Sequence, residues 1–322
     1  MKNILLVIAF VFTLLQANAQ TADYIIRNGK LIDGTGNQWQ YKDVAIKGNQ
    51  IIAIGNLKNW KATREIDAKG LIVAPGFIDV HGHLEGGEFR NPLASNFLYD
   101  GVTTVVTGNC GGSAENLNTY FNTLDSIGMS INIASLIGHN TIRKQVMGTA
   151  NRHATEAEMQ AMEKIAAEAM QDGAVGMSTG LIYIPGTYAP TEEIVRLAKV
   201  IASKGGVYAS HIRNEENQVV DAVNEAIQIG RAASIPVEIS HFKISGQNNW
   251  GRSKETIPLV VNARKEGIDV TIDQYPYTAS STQLSVLLPD WVLSDGQDSI
   301  FARLKNPTTR TKVANEIIGI LK

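Results

Sequence analysis

Two patterns of apolar and polar positions divide the chain. From residue 21 to about 70 the apolar runs are short and separated by turn residues. Tyr24-Ile25-Ile26 precedes Asn28-Gly29, Val44-Ala45-Ile46 precedes Gly48-Asn49, and Ile51-Ile52-Ala53-Ile54 follows. Gly48-Asn49 between two apolar runs predicts a tight hairpin, and the segment reads as part of a small β domain. The glycine-rich stretch Asp33-Gly34-Thr35-Gly36-Asn37 lacks the lysine and following helix of a phosphate loop and reads as a turn.

After Pro75 the pattern becomes strand, loop and helix, repeated. Candidate strands end near His83, Cys110, His139, Leu181, Ile212, Phe242 and Tyr277, at intervals of roughly 30–40 residues. Helical periodicity fills the intervals, at 155–170, 191–203, 219–233 and 258–265. Such alternation predicts an α/β fold of right-handed βαβ units. Seven candidate strands at this spacing predict an incomplete (β/α)8 barrel over 71–322, beside the β portion at 20–70. A doubly wound sheet is the alternative, but it usually carries a glycine-rich dinucleotide fingerprint after its first strand, which is lacking here. Beyond Tyr277 the sequence offers a loop with Pro289 and Trp291, then helical stretches at 300–304 and 308–321, and no eighth strand.

The first 19 residues read as a targeting segment. Lys2 opens it, an apolar run from Ile4 to Leu15 follows, and Ala17-Asn18-Ala19 has the form of a signal-peptidase site before Gln20. The apolar run is shorter than the ~20 residues that span a bilayer. An exported, periplasmic or extracellular protein is the expectation, without stable membrane insertion after cleavage. Composition adds little: 44% hydrophobic, 19% charged and a net charge of −2 suit a folded domain. The absence of a clustered basic surface speaks against nucleic-acid binding. The lone cysteine, Cys110, forms no disulfide within the chain.

Barrel enzymes carry their chemistry at the C-terminal ends of the strands. Five of the six histidines and the single cysteine fall there. His81 and His83, in Asp79-Val80-His81-Gly82-His83, would project to one side of a strand and form half of a zinc site. Asp79 shares that face and either orders the site through hydrogen bonds or is a satisfied core carboxylate. Cys110 is backed by Gly111-Gly112. His211 and His241 sit at equivalent points of consecutive units, in Ser-His-Ile-Arg and Ser-His-Phe-Lys. Cys110, His211 and His241 make a nitrogen, nitrogen, sulfur set suited to zinc, with a position left for water. His139 reads as a group supporting such a site, and His153 as solvated.

Pro75-Gly76-Phe77-Ile78-Asp79 leading into His-x-His resembles the signature of the amidohydrolase superfamily. Gly108-Asn109-Cys110-Gly111, Ser210-His211-Ile212-Arg213, Ser240-His241-Phe242-Lys243 and Asp273-Gln274-Tyr275-Pro276-Tyr277 are similar to the N-acyl-D-amino-acid deacylase (D-aminoacylase) branch. The resemblance implies a small β-sandwich beside a TIM-like metal-dependent hydrolase barrel. It implies a tightly bound zinc on Cys110, His211 and His241, and a second, weaker metal position at His81 and His83. The fourth strand, Gly173 to Gly180, has no lysine for the carboxylated bridge of hydantoinase-like relatives. The substrate would be a small N-acylated D-amino acid. Lys243 would pair with its carboxylate, Tyr183 and Tyr275 would contact it, and Arg213 and Arg143 are lesser candidates.

The branch draws its catalytic aspartate from an eighth strand, expected to lie beyond Lys322. Asp295 comes too soon after the seventh strand to serve, and Asp273 is not the matching position. No catalytic residue is therefore assigned within the sequence, and these 322 residues alone are expected to be poorly stable and weakly active. The competing readings are a dipeptidase-like or isoaspartyl-cleaving amidohydrolase and a non-catalytic metal-binding fragment.

Overall fold

A computed structural model describes residues 20–320; the expected targeting segment lies outside them. The chain divides into two compact units, Met1–Gly76 and Phe77–Lys322.

In the first unit the strands are β1 (Thr21–Arg27), β2 (Lys30–Leu31), β3 (Gln40–Tyr41), β4 (Asp43–Lys47), β5 (Gln50–Gly55), β6 (Lys61–Asp67) and β7 (Ile72–Val73). They form two mixed sheets, in the orders β5-β4-β1-β6 and β3-β2-β7. Lys47 pairs with Gln50, so Gly48-Asn49 is the expected two-residue hairpin turn. Gly48 supplies the positive φ, 58°, that such turns demand. Asp33 Oδ1 accepts from the Thr35 N–H at 3.1 Å, making 33–37 a side-chain-stabilised turn and not a phosphate loop. Ala22, Ile25, Ala45 and Leu57 form this unit's small core.

The second unit carries β8 (Phe77–Asp79), β9 (Val102–Thr107), β10 (Asn132–Gly138), β11 (Gly176–Gly180), β12 (Val207–His211), β13 (Val237–Ile239) and β14 (Val270–Ile272). They form one seven-stranded sheet in simple chain order, parallel at every pairing. A doubly wound sheet reverses its strand order, so this sequential order excludes that alternative. The sheet is that of an incomplete TIM-like barrel. Among the described residues, β8 and β14 end the order and gain no further strand neighbour.

The 3.6-residue period is clearest in the helix at 191–202. In Thr191–Ala202, the buried Ile194, Leu197, Ala198 and Ile201 lie one turn apart and seal the sheet. Glu156–Gln171 starts at a capping box, Thr155 with Glu158. Val219–Ala233 has the expected bounds. Ser253–Lys265 begins well before the expected 258 and holds Pro258 inside it. A proline this near the first turn forgoes one helical hydrogen bond without ending the helix. No described helix is long and apolar enough to cross a membrane.

Candidate metal centre

The strands end earlier than their apolar patterns suggest, so most of the candidate donors sit on the loops just past them. His211 is the last residue of β12, whereas His81, Cys110 and His241 follow β8, β9 and β13. Strand alternation therefore does not align His81 and His83. A turn does so, in which Asp79 Oδ1 accepts from the His81 N–H at 3.0 Å, and the two rings stand 5.3 Å apart. Asp79 thus acts on the site through a backbone contact.

Cys110 and His241 both hold left-handed backbone conformations, φ 53° and 38°. Non-glycine residues adopt these only where the surroundings impose them. Here the Gly111 N–H donates to Ser178 Oγ at 2.9 Å, and the Thr141 N–H donates to Gly111 O at 3.2 Å. Past His241, the Phe242 N–H donates to Asp273 O at 2.9 Å, and the His241 N–H donates to Asp273 Oδ1. Gly111 is required: at φ 79° a Cβ would stand 2.2 Å from Asn140 Oδ1.

These loops bring the predicted donors together. Cys110 belongs to two clusters, one with His81 and His83 and one with His211 and His241; within each, the ligand atoms lie within 4.8 Å of one another. Cys110 Sγ stands 3.4 Å from His81 Nε2 and 3.7 Å from His241 Nε2. His241 Nε2 lies 2.8 Å from His211 Nδ1. Zinc held at ~2.0 Å by imidazole and ~2.3 Å by thiolate separates tetrahedral donors by roughly 3.3–3.6 Å, close to the two Cys110 spacings, whereas the two histidine nitrogens stand at hydrogen-bond distance. Among the described residues the buried His211 Nε2 has no hydrogen-bond partner, so the second cluster is not a self-satisfied core network.

Two carboxylates hold the outward nitrogens of the rings that face Cys110. His81 Nδ1 is 2.7 Å from Asp273 Oδ2, and His241 Nδ1 is 2.9 Å from Glu215 Oε1. This orienting pattern is usual for metal-binding imidazoles. Burial pushes the Cys110 thiol up to about 12, helped by the charges of Asp273 and Glu215. Burial pushes His211 down to about 3, so its ring is neutral and able to donate a lone pair. For Glu215, burial acts upward but is outweighed by the His241 hydrogen bond and the nearby His211 and Lys243, leaving it at about 2. Glu238 lies against Asp273. Burial and the hydrogen bond to Asp273 push it well above the usual carboxylate range, so it is a proton donor in that pair.

Lys243 donates to Glu215 Oε1 at 2.6 Å and lies 5.6 Å from the centre of the Tyr275 ring. Tyr183 packs against His211, 4.9 Å between ring centres, and its hydroxyl meets Thr282 Oγ1 at 3.1 Å. A cleft of about 540 Å³ opens beside them, lined among others by His83, Glu85, Cys110, Asn140, Tyr183 and Thr282.

The two arginines belong elsewhere. Arg143 is fully buried against Glu193 and the Arg152 carbonyl. Arg213 is engaged by Glu225 at 2.8 Å and by the carbonyls of Thr187 and Ala189. His139 also pairs with Glu193, at 2.9 Å, while His153 is exposed as expected. Asp295 pairs with Arg303 at 2.9 Å. Sequence reasoning does not single out Glu215, Glu238 or Glu85. For Glu215 the signal was its place four residues beyond His211, just past a strand end.

The fold and these donors define a parallel βα-barrel protein whose strand ends are built to hold a transition metal. The chain belongs to the amidohydrolase family, whose model matches residues 64–283. It is 39% identical to the D-aminoacylase of Alcaligenes xylosoxydans xylosoxydans, over 84% of this chain and 60% of that protein. A solved structure of D-aminoacylase with a binuclear metal centre superposes with a TM-score of 0.78 at 38% identity, covering 83% of this chain and 62% of that one. The N-acyl-D-glutamate deacylase of Bordetella bronchiseptica, solved with zinc and a phosphonate mimic of the tetrahedral intermediate, gives 0.77 at 38% identity, covering 80% and 59%. The chain thus spans about 60% of the length of the relatives it matches.

Proposed function

We propose that this chain supplies the metal-holding part of a zinc-dependent deacylase, which cleaves the amide bond of N-acyl-D-amino acids to a carboxylate and a free D-amino acid. The supporting observation is the single thiol shared by two histidine clusters beside an open cleft. Similarity to deacylases solved with metal supports the reading. The residues holding zinc are Cys110, His211 and His241, with a second, weaker position at His81, His83 and Cys110. Bound zinc supplies a Lewis acid and a water acidic enough to ionise near pH 7.

The remaining tasks fall to this chain's own side chains. Glu215 and Asp273 fix the rings of His241 and His81. The Lys243 ammonium anchors the substrate carboxylate, and Tyr183 and Tyr275 flank the substrate. A carboxylate fixed at Lys243 and a carbonyl fixed near Cys110 leave two directions at the α-carbon, and room for the side chain along only one of them would select one enantiomer. The proton-transferring aspartate is assigned to an eighth strand, which is not among the described residues. The N-terminal targeting pattern supports export, with this chemistry outside the cytoplasm.

The test is zinc content together with ligand binding. The purified chain should retain zinc, and Cys110→Ala should lose it. Calorimetry of the zinc-loaded chain should show N-acetyl-D-amino acids binding more tightly than their L enantiomers or dipeptides. Zinc retention unaffected by Cys110→Ala would overturn the metal assignment; preference for dipeptides would overturn the substrate.

A further inference from the structure

His241 has two competing neighbours at the same ring atom. Its Nδ1 lies 2.9 Å from Glu215 Oε1 and 3.2 Å from Lys243 Nζ. These neighbours demand opposite things of the ring. A carboxylate accepts, so it favours a proton on Nδ1. An ammonium only donates, so it favours a bare Nδ1 and hence a proton on Nε2. Nε2 is the atom that faces Cys110 Sγ, at 3.7 Å, and His211 Nδ1, at 2.8 Å. A proton there occupies the lone pair that a metal needs.

The same Glu215 oxygen also takes the Lys243 ammonium, at 2.6 Å, the shorter of the lysine's two contacts. Glu215 therefore does two things with one atom. It accepts the Nδ1 proton, and it draws the lysine's hydrogen away from Nδ1. The groups that meet here come from two loops, the one after β12 carrying Glu215 and the one after β13 carrying His241 and Lys243.

We infer that Glu215 is a positioning residue that holds His241 in the metal-binding tautomer against Lys243. This deepens the proposed function and rests on its metal assignment. It makes Glu215 the element that lets a cation for the substrate carboxylate sit two residues from a metal-binding imidazole. It further implies that Glu215 is harmful to lose only while Lys243 is present.

That implication gives the experiment. Zinc affinity is measured by chelator competition on the full chain for wild type, Glu215→Ala, Lys243→Met, the double variant and Cys110→Ala. Cobalt-substituted samples are read in parallel for the thiolate-to-metal absorption and the ligand-field bands. Glu215→Ala should weaken binding by ~10–100-fold, the range for loss of an orienting partner. Lys243→Met should not weaken it. The double variant should recover most of the loss and regain the wild-type cobalt spectrum. A structural role alone predicts a double variant no better than Glu215→Ala, and that result overturns the inference. If Glu215→Ala does not fold, the comparison passes to Glu215→Gln with and without Lys243→Met, with the same criterion. Failure of the metal assignment shows separately, as Cys110→Ala binding zinc like wild type.

Discussion

His81 Nδ1 stands 2.7 Å from Asp273 Oδ2, a contact between residues 192 positions apart. His81 follows β8 and Asp273 follows β14, the two strands that end the seven-stranded order. No strand pairing joins these edges among the described residues, so this hydrogen bond links them across the mouth of the sheet. Asp273 also accepts from the His241 N–H. One carboxylate thus fixes members of both metal clusters.

Asp273→Ala is therefore expected to weaken metal binding at both positions, by ~10–100-fold each. The effect should be larger at the His81 side, where the lost contact is to the ligand ring itself. Titration of the metal-depleted chain with cobalt, following the two clusters by absorption, measures this. Unchanged affinity at both positions would show that Asp273 plays no orienting part.

Cys110 should make metal uptake acidifying. Its thiol, pushed up to about 12 chiefly by burial, is protonated in the metal-free chain at neutral pH. A metal holds it as thiolate, so binding at pH 7 releases one proton from this residue. Affinity should rise with pH accordingly. Calorimetry in buffers of different ionisation enthalpy reads the released proton. Cys110→Ser should abolish the sulfur-to-cobalt absorption and most binding at both clusters.

Gly111 tests how the thiol is carried. At φ 79° a side chain is strained, and a Cβ would meet Asn140 Oδ1 at 2.2 Å and the Gly180 nitrogen at 2.6 Å. The Gly180 contact is with backbone, which cannot rotate away. Gly111→Ala is expected to cost ~1–3 kcal/mol in stability through overpacking, before adding the backbone strain. The loop shift should also reduce metal affinity. Chemical denaturation and metal content check the two effects.

These residues also show what the sequence makes legible. The helix Val219–Ala233 and the turn at Gly48-Asn49 follow from local periodicity and turn chemistry, and both are found where expected. Strand ends overshoot because apolar and small residues such as Val80 and Gly108 continue past the last ladder hydrogen bonds. Histidine and cysteine are rare enough here that their clustering at strand ends stands out. Carboxylates are common, and Asp273 gains meaning only from residues distant in the chain, His81 192 positions away and His241 32 positions away. Arg143 looks like a site cation in one dimension. Its partner is Glu193, on a different helix 50 positions on, which removes it to the core.

That core pair yields a prediction about acid stability. Glu193 and its two partners are almost wholly buried, with His139 Nε2 at 2.9 Å and Arg143 on the other oxygen. Burial acts to raise the Glu193 carboxyl, but the His139 hydrogen bond and charge, then those of Arg143, outweigh it and hold it below its ordinary value. A carboxylate depressed in the folded state stabilises fully above its unfolded value, ~4.3, and less as pH falls through the native value. Thermal unfolding should therefore show wild type losing stability below about pH 4.3, and Glu193→Gln should lack this part of the acid dependence. At pH 7, Glu193→Ala leaves the Arg143 charge buried and unpaired, at an expected cost of ~3–5 kcal/mol. Arg143→Met with Glu193→Leu removes both charges together and should restore much of that loss. If the double variant is as unstable as Glu193→Ala, the orphaned guanidinium is not the cause, and the loss lies with the buried His139, whose Nε2 has lost its partner.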